Sequence, residues 1–317
     1  MRCLVIGGAG FIGVSACKEL MRRGVETIAA GRTPRPYGTF TSYVTLDRSD
    51  RAQLVDVLKA VRPEVVLDLA AYQPAEVRTL LESFDGERYV FVSTGGVYPD
   101  LSGRRAREED FVPLEGPVPT DPQEYRDGKR WCETVLARTA ERRWVAIRPP
   151  AVFGPEDHTL RIAAYLQRLE DGGPLLVPGE TYAWPMGLAW VRDVGYGCAL
   201  ACDLRREASG PYNVSLEGVT LQDLIAAAGR ALRRQPAVVS VPYAELPEGA
   251  SPYGPDPRRS AGYDLTRIRR ELGFEPSSLE DALAETLTWY LARRPSHPGY
   301  AGRARELQIA VSRGVAH

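Results

Sequence analysis

The pair Tyr125 and Lys129 is the feature of this sequence best suited to acid–base chemistry. The two residues are four positions apart in a stretch with helical periodicity, so their side chains share one face of a helix. A tyrosine hydroxyl with its ordinary pKa of about 10 is a weak base at neutral pH, but a nearby ammonium stabilises the phenolate. We therefore expect Lys129 to lower the pKa of Tyr125, which would let Tyr125 exchange a proton with a substrate.

Two hydroxyl residues, Ser93 and Thr94, follow an apolar run and precede Gly95-Gly96. They would lie at the carboxyl edge of a strand, where open α/β sheets bind ligands. We expect Thr94, rather than Ser93, to hold the substrate oxygen. The alternative is that these hydroxyls satisfy backbone groups at the strand end.

A glycine-rich turn lies between the first predicted strand and the first predicted helix; it is Gly7-Gly8-Ala9-Gly10-Phe11-Ile12-Gly13. In such a turn Gly7 allows the tight bend, Gly10 lets a pyrophosphate approach the backbone, and Gly13 lets the helix pack on the sheet. The amino terminus of the helix adds amide donors and partial positive charge. The pattern in this position predicts a dinucleotide-binding site.

The residue after the second predicted strand indicates which dinucleotide is bound. An acidic residue there would accept hydrogen bonds from the ribose hydroxyls and repel a 2′-phosphate. This sequence has Gly31-Arg32-Thr33 instead, and a guanidinium can pair with that phosphate. The sequence therefore favours NADP(H) over NAD(H), with Arg32 as a solvated loop residue as the alternative.

Alternating apolar strands and amphipathic helices fill the first half of the chain, as is typical of a parallel sheet covered by helices. We predict roughly six strands before residue 150, among them 3–6, 26–30, 65–69, 89–93 and 145–148. Helices are predicted at 11–23, 51–61 and 122–140 from the spacing of apolar residues. A further helix is predicted at 221–232.

The regular alternation fails after residue 149, where Pro and Gly concentrate in 149–187 and 236–262. We expect residues 1–150 to form a Rossmann-type, doubly wound α/β domain that also receives 188–212. Residues 151–187 and 213–292 would form a smaller C-terminal α/β lobe for the substrate. Residues 293–317 would form a surface helix or a frayed extension.

The composition is that of a soluble globular protein: 317 residues, 44% hydrophobic, 26% charged, and a formal net charge of -1. This charge argues against a nucleic acid or a membrane surface as partner. The five cysteines form no CxxC pair and only three histidines exist, so we expect reduced thiols and no metal site. With neither a signal-peptide pattern nor a membrane span, we expect a cytoplasmic protein.

Taken together, these motifs resemble the extended short-chain dehydrogenase/reductase family, in its NAD-dependent epimerase/dehydratase branch. Further similar blocks are Asp47-Arg48, Leu69-Ala70-Ala71, Val97-Tyr98 and residues 148–155, 191–194 and 270–274. The resemblance implies a Rossmann domain with a small substrate lobe and hydride exchange at a secondary alcohol or ketone carbon. It also implies a homodimer.

The resemblance assigns roles to single residues. It implies that Tyr125 is the acid/base, that Lys129 modulates it, and that Thr94 bonds the substrate. It makes Asp47 the adenine contact. The other cofactor contacts that we predict are Gly7, Gly10, Phe11, Ile12, Gly13, Arg32, Ala70, Ala71, Ser93 and Pro149, together with Tyr125 and Lys129 themselves.

The substrate end departs from the pattern of relatives that bind a nucleotide diphosphate. Ala151 and Met186 align with an asparagine and an arginine of those relatives, and Tyr253 aligns with a second arginine. We therefore expect a sugar-like small molecule that is not an ordinary nucleotide diphosphate sugar, or one that is held differently. Positive charges that could substitute are Arg161, Arg258 and Arg259.

Three functions fit these residues. The first is an NADPH-dependent reductase or dehydrogenase with Tyr125 as acid/base. The alternative is a redox-neutral sugar-nucleotide epimerase with tightly bound NAD, and a second alternative is a nucleotide- or RNA-binding relative without turnover, against which the intact Thr94, Tyr125 and Lys129 argue. A 4,6-dehydratase is excluded, because Gly95-Gly96 replaces the Asp-Glu pair of those enzymes.

Overall fold

The computed structural model describes residues 1–33, 39–139 and 144–315. Its strands are β1 (Arg2–Ile6), β2 (Glu26–Gly31), β3 (Ser42–Thr45), β4 (Val65–Asp68), β5 (Arg88–Val92), β6 (Trp144–Arg148), β7 (Ala151–Phe153), β8 (Leu175–Pro178), β9 (Leu188–Trp190), β10 (Gly210–Asn213) and β11 (Val238–Val241). The α-helices are α1 (Phe11–Arg22), α2 (Arg51–Val61), α3 (Pro74–Ser83), α4 (Tyr125–Arg138), α5 (Arg161–Asp171), α6 (Val191–Cys202), α7 (Leu221–Leu232), α8 (Thr266–Leu272), α9 (Leu279–Arg293) and α10 (Arg303–Ser312).

A seven-stranded parallel sheet is the centre of the fold. Its strand order is β10-β6-β5-β4-β1-β2-β3, so the chain winds outward from β1 in both directions. Two small parallel pairs, β7 with β9 and β8 with β11, lie outside it. This confirms the predicted doubly wound, Rossmann-type α/β fold, in which ligands bind where the strand order reverses.

The alternation of side chains along β1 explains why both faces of the sheet are covered. Cys3 and Val5 belong to an apolar cluster with α1 and α6, whereas Leu4 and Ile6 belong to a cluster with α2, α3 and α4. A strand that is buried on both faces reads as a continuous apolar run, as this one does. The sheet therefore lies between two helical layers.

Most predicted elements occur close to their predicted bounds. Helix α2 spans residues 51–61 as predicted, and the Asp50 carboxylate caps it by accepting from the amides of Ala52 and Gln53. Helix α4 begins at Tyr125 rather than at residue 122, and residue 140, where we predicted its end, lies outside the described residues. Strand β3 and helix α3 were not predicted; β3 is a half-exposed edge strand with little apolar signal.

The segment after residue 293 is docked on the protein rather than frayed. Glu306 of α10 is buried and accepts hydrogen bonds from the guanidinium groups of Arg168 in α5 and Arg303. Arg303 also binds Asp171 at 2.7 Å. A buried ionic network thus attaches α10 to α5, while the last two residues of the predicted extension, 316 and 317, lie outside the described part of the chain.

Candidate active site

A cavity of about 710 Å³ opens beside the carboxyl end of β5. Thr94 and Tyr125 line it from the sheet side, and Phe11 and Ile12 of the glycine-rich turn line it nearby. Arg161, Met186 and Tyr253 line it from the second half of the chain. The structure therefore brings Thr94, Tyr125 and the predicted dinucleotide turn to one cavity, whereas Lys129 does not line it.

Tyr125 is the first residue of α4, and its side chain is 55% exposed at the cavity. Its ring contacts the ring of Tyr72, with 5.7 Å between the ring centres. Desolvation and the neighbouring Tyr72 raise the pKa of Tyr125 to about 12, and a hydrogen bond with the Thr94 side chain opposes that rise. The two residues expected to touch the substrate oxygen are therefore neighbours.

Lys129 lies one turn further along α4 and is buried. Its ammonium donates to the carbonyl oxygens of Ala71 and Val92, both at 2.8 Å. Burial lowers the pKa of Lys129 to about 8. The pKa of Tyr125 is thus raised in this structure rather than lowered; the Lys129 ammonium bonds to two backbone carbonyls and lies 5.9 Å from the centre of the Tyr125 ring, and its effect on the phenol stays a prediction.

A buried ionic cluster holds α4 against the sheet. Glu133, four residues after Lys129, accepts hydrogen bonds from the guanidinium of Arg148 at the end of β6. The distance from Arg148 Nε to Glu133 Oε1 is 2.9 Å. Glu133 also accepts from the Ser93 hydroxyl at 2.5 Å. Ser93 therefore uses its hydroxyl inside the protein, and only its backbone remains for the cofactor contact that we predicted.

Sequence reasoning missed Glu133, although its spacing of four residues from Lys129 places it on the same helix face. It also missed Asp68, the last residue of β4. One Asp68 oxygen accepts from the amides of Ala70 and Ala71 at 3.0 Å, and the other accepts from Arg48 at 2.9 Å. Asp68 thereby shapes the turn in which Ala70 and Ala71 were predicted to line the cofactor.

The glycine-rich turn fits a dinucleotide phosphate. Gly7 has a φ of +82°, and a Cβ on Gly13 would lie 2.1 Å from the Gly7 carbonyl oxygen. A Cβ on Gly8 would lie 2.8 Å from the Cβ of Ala29, so Gly8 is also required for the close packing. Gly10 is the N-cap residue of α1, and no side chain caps the helix there. The first amides of α1 can therefore donate hydrogen bonds to a bound anion.

Two opposite charges lie at the edge formed by β2 and β3. Arg32 follows β2 and Asp47 follows β3, and the two strands are paired in register at Gly31 and Thr45. The Asp47 carboxylate accepts from the amide and hydroxyl of Ser49, and these bonds together with the charge of Arg32 lower its pKa. A carboxylate is thus present at this edge although β2 itself carries none.

The remaining predicted contact, Pro149, follows β6, and its carbonyl accepts from the Gly95 amide at 2.7 Å. Within residues 1–33, 39–139 and 144–315, no three His, Cys, Asp or Glu side chains are grouped as a metal site requires. No helix in the same ranges is long and apolar enough to span a membrane. The five cysteines are buried and unpaired.

The chain is similar to known proteins over most of its length. UDP-N-acetyl-alpha-D-glucosaminuronate decarboxylase of Bacillus cytotoxicus is 25% identical over 329 residues, covering 91% of this chain and 97% of that protein. The structure of UDP-glucose 4-epimerase from Thermus thermophilus with NAD matches with a TM-score of 0.68 at 24% identity, covering 92% of this chain and 100% of that one. UDP-glucose 4-epimerase of Thermotoga maritima, solved with UDP-glucose, matches with a TM-score of 0.69 at 20% identity, covering 93% and 100%.

The model of the family described as the NAD dependent epimerase/dehydratase family matches residues 3–215, which is well over half of the chain. This family description, and the NAD in the Thermus structure, do not support the NADP(H) preference that we predicted from Arg32. The protein therefore belongs to the NAD-dependent epimerase/dehydratase family, as its motifs indicated.

Proposed function

We propose that this protein is an NAD-dependent enzyme that oxidises a secondary alcohol of a sugar-like substrate and then reduces it again, changing its configuration without net redox change. The observation that carries this proposal is the meeting of Thr94, Tyr125 and the glycine-rich turn at one cavity. The similarity to epimerases favours this alternative over the net reductase that we first expected. The substrate itself is not named by any of these findings.

The side chains of this protein would transfer the proton of the substrate hydroxyl. NAD, when bound, supplies the hydride acceptor. Thr94 would hold the substrate hydroxyl beside Tyr125, and Tyr125 in its phenolate form would take the hydroxyl proton during oxidation and return it during reduction. Because desolvation and Tyr72 raise the pKa of Tyr125 to about 12, the neutral phenol predominates at neutral pH, so Tyr125 must release its own proton to solvent before the oxidation step.

We propose NAD(H) rather than NADP(H) as the cofactor. The Asp47 carboxylate beside Arg32 would repel a 2′-phosphate and offset the attraction of the guanidinium. The amides of α1 and the glycine turn would hold the pyrophosphate. The backbone of Ala70 and Ala71, fixed by Asp68, would line the site.

We propose that the lobe of residues 151–187 and 213–292 supplies the substrate side of the cavity, where Arg161, Met186 and Tyr253 lie. The catalytic pair Thr94 and Tyr125 then belongs to the domain of residues 1–150, which also receives 188–212. The homodimer and the cytoplasmic location stay predictions.

The proposal is tested by two readouts on one reaction. NAD-loaded protein is incubated with a panel of free sugars, sugar acids, sugar phosphates and UDP-sugars. We expect a stereoisomer of one panel member, identified by NMR, with no net change in the absorbance of reduced nicotinamide. Product that forms only as added NADH or NADPH is consumed would instead establish a reductase.

A further inference from the structure

Two buried polar atoms in the cavity wall have no hydrogen-bond partner within the described residues: Oδ2 of Asp157 and the hydroxyl oxygen of Tyr253. Asp157 is 1% exposed and Tyr253 is 6% exposed, and both line the cavity. Leaving a buried polar group unpaired costs about 1 to 3 kcal/mol, and more for a charged group. Such atoms beside a cavity need a partner that the protein does not supply, such as a polar group of a ligand or an ordered water.

The Asp157 carboxylate is held rigidly. Its other oxygen, Oδ1, accepts from the amide of Thr159 at 2.8 Å and from the Thr159 hydroxyl at 2.7 Å. Glu156 directly before Asp157, and Leu160 three residues after it, have φ values of +68° and +54°. These values lie in the left-handed region that non-glycine residues rarely adopt. The loop therefore fixes one oxygen and leaves the other free as an acceptor.

Tyr253 is fixed in the same way. Its amide donates to the hydroxyl of Tyr165 at 2.8 Å, and the two rings stack with 5.9 Å between centres and an angle of 9°. Burial raises the pKa of its hydroxyl, the charge of Asp157 adds to that rise, and the charge of Arg161 opposes it. All three side chains line the same cavity.

Arg161 is the cavity arginine whose guanidinium is free to bind a ligand. Three arginines line the cavity, and two of them are engaged: Arg126 donates to the Gly96 carbonyl at 2.7 Å, and Arg259 pairs with Asp100 at 3.2 Å. The side chain of Arg161 makes no hydrogen bond or ion pair in the part of the chain that the structure describes. Among the three cavity arginines it is therefore the one whose guanidinium donors are not already used by the protein.

We propose that Asp157, Arg161 and Tyr253 form the subsite that selects the substrate, and that the substrate is a sugar or polyol with a single anionic group, a carboxylate or a phosphate monoester. Arg161 pairs with the anion, Asp157 accepts from a neighbouring hydroxyl, and Tyr253 donates to the ligand. Ala151 and Met186 add no charge to the cavity wall, and Arg126 is held by the carbonyls of Gly96 and Tyr98, so a diphosphate would lack a second free guanidinium. This inference rests on the proposed function, because it concerns the substrate side of the same cavity.

Calorimetric titration of the NAD-loaded protein tests it with four probes: glucose, glucuronate, glucose 6-phosphate and UDP-glucose. We expect glucuronate or glucose 6-phosphate to bind at least tenfold more tightly than glucose and UDP-glucose, and the tighter of the two identifies the anion. Binding of none of the probes, equal binding of glucose and the anionic sugars, or tightest binding of UDP-glucose would overturn the subsite. None of these outcomes changes the NAD content, so a failure here is distinguishable from a failure of the proposed function.

Variants locate the binding at the named residues. Arg161→Gln should weaken the anionic probe at least tenfold, whereas Arg230→Gln, which removes an exposed guanidinium paired with Glu280 and away from the cavity lining, should change it less than twofold. Asp157→Asn should also weaken binding several-fold, because an amide donor replaces the free acceptor; a purely electrostatic role would instead strengthen anion binding. Unchanged melting temperature and NAD content show that each variant folds, and equal effects of the two arginine variants would contradict the assignment.

Discussion

The ammonium of Lys129 donates to the carbonyl oxygen of Ala71 at 2.8 Å, which joins α4 to the turn that follows β4. A second bond of the same length reaches Val92, the last residue of β5. One buried cation therefore ties the helix of Tyr125 to two strand ends at the site. In this structure it holds these elements in position.

The burial of Lys129 predicts a specific pH dependence of stability. Its pKa is lowered from 10.5 to about 8 in the folded protein, so between these pH values the unfolded chain binds more protons. The contribution of Lys129 to the free energy of unfolding should therefore rise with pH from about 8 to 10.5, and its burial penalty should be constant below that window. Four buried cysteines with a raised pKa act in the opposite direction over part of this range, so the rise is to be measured as the difference between the wild type and Lys129→Met in urea unfolding.

The same titration can be observed directly, because the chain contains only the lysines Lys18, Lys59 and Lys129. NMR of the labelled lysine side chains should show one that titrates near pH 8, assigned by its loss in Lys129→Met. Three lysines that all titrate near 10.5 would contradict the buried position of Lys129.

Tyr125→Phe should abolish turnover while it preserves NAD binding. Removal of a general acid/base costs about 10²- to 10⁴-fold in rate. The matched control is Tyr196→Phe, because Tyr196 is a tyrosine of α6 that does not line the cavity. Rates are to be compared on the substrate that the panel identifies, and an active Tyr125→Phe enzyme would remove Tyr125 from the mechanism.

Glu133→Ala should destabilise the protein strongly. The substitution leaves the guanidinium of Arg148 buried without its carboxylate, and breaking a buried ion pair costs about 3 to 5 kcal/mol. Denaturant unfolding measures the loss. A change below about 1 kcal/mol, which is usual for an exposed pair, would show that Arg148 finds another partner.

The C-terminal helix should contribute to stability through Glu306. Glu306→Ala leaves Arg168 and Arg303 without their shared carboxylate in the interior, and we expect a cost of about 3 to 5 kcal/mol. Glu280→Ala is the control, since Glu280 forms an exposed pair with Arg230 at 3.4 Å. Equal effects of the two substitutions would mean that α10 is not docked as described.

Asp47→Asn should reduce the preference for NAD over NADP. The substitution removes the negative charge beside Arg32 and so lowers the repulsion of a 2′-phosphate. The ratio of the two dissociation constants, measured by titration of apoprotein, should shift toward NADP. Ser49→Ala serves as control, because it removes a partner of Asp47 but leaves the charge.

Much of the first half of the fold could be predicted from its sequence. Strands such as β1 are continuous apolar runs, and α2 carries both its periodicity and its Asp50 cap, so local signals and the fold agree. Strand β3 was not predicted, because an exposed edge strand needs few apolar residues. The docking of α10 could not be predicted, because it depends on the ion pair of Glu306 with Arg168, two residues far apart in the chain.

The candidate site shows the same division. The spacing of Tyr125 and Lys129 predicted that they share a helix face, and the structure places them so. The direction of the Lys129 ammonium could not be predicted, because it depends on carbonyls of β5 and of the turn after β4. The unpaired oxygen of Asp157 could not be predicted either, since only the three-dimensional structure shows which polar atoms lack hydrogen-bond partners.

The most direct test is to purify the protein without added cofactor, denature it, and identify the released nucleotide by mass and stoichiometry. A redox-neutral enzyme must keep its dinucleotide through each cycle, so we predict close to one NAD(H) per chain. An empty protein that then binds NADPH much more tightly than NADH would contradict the central claim and establish a reductase in its place.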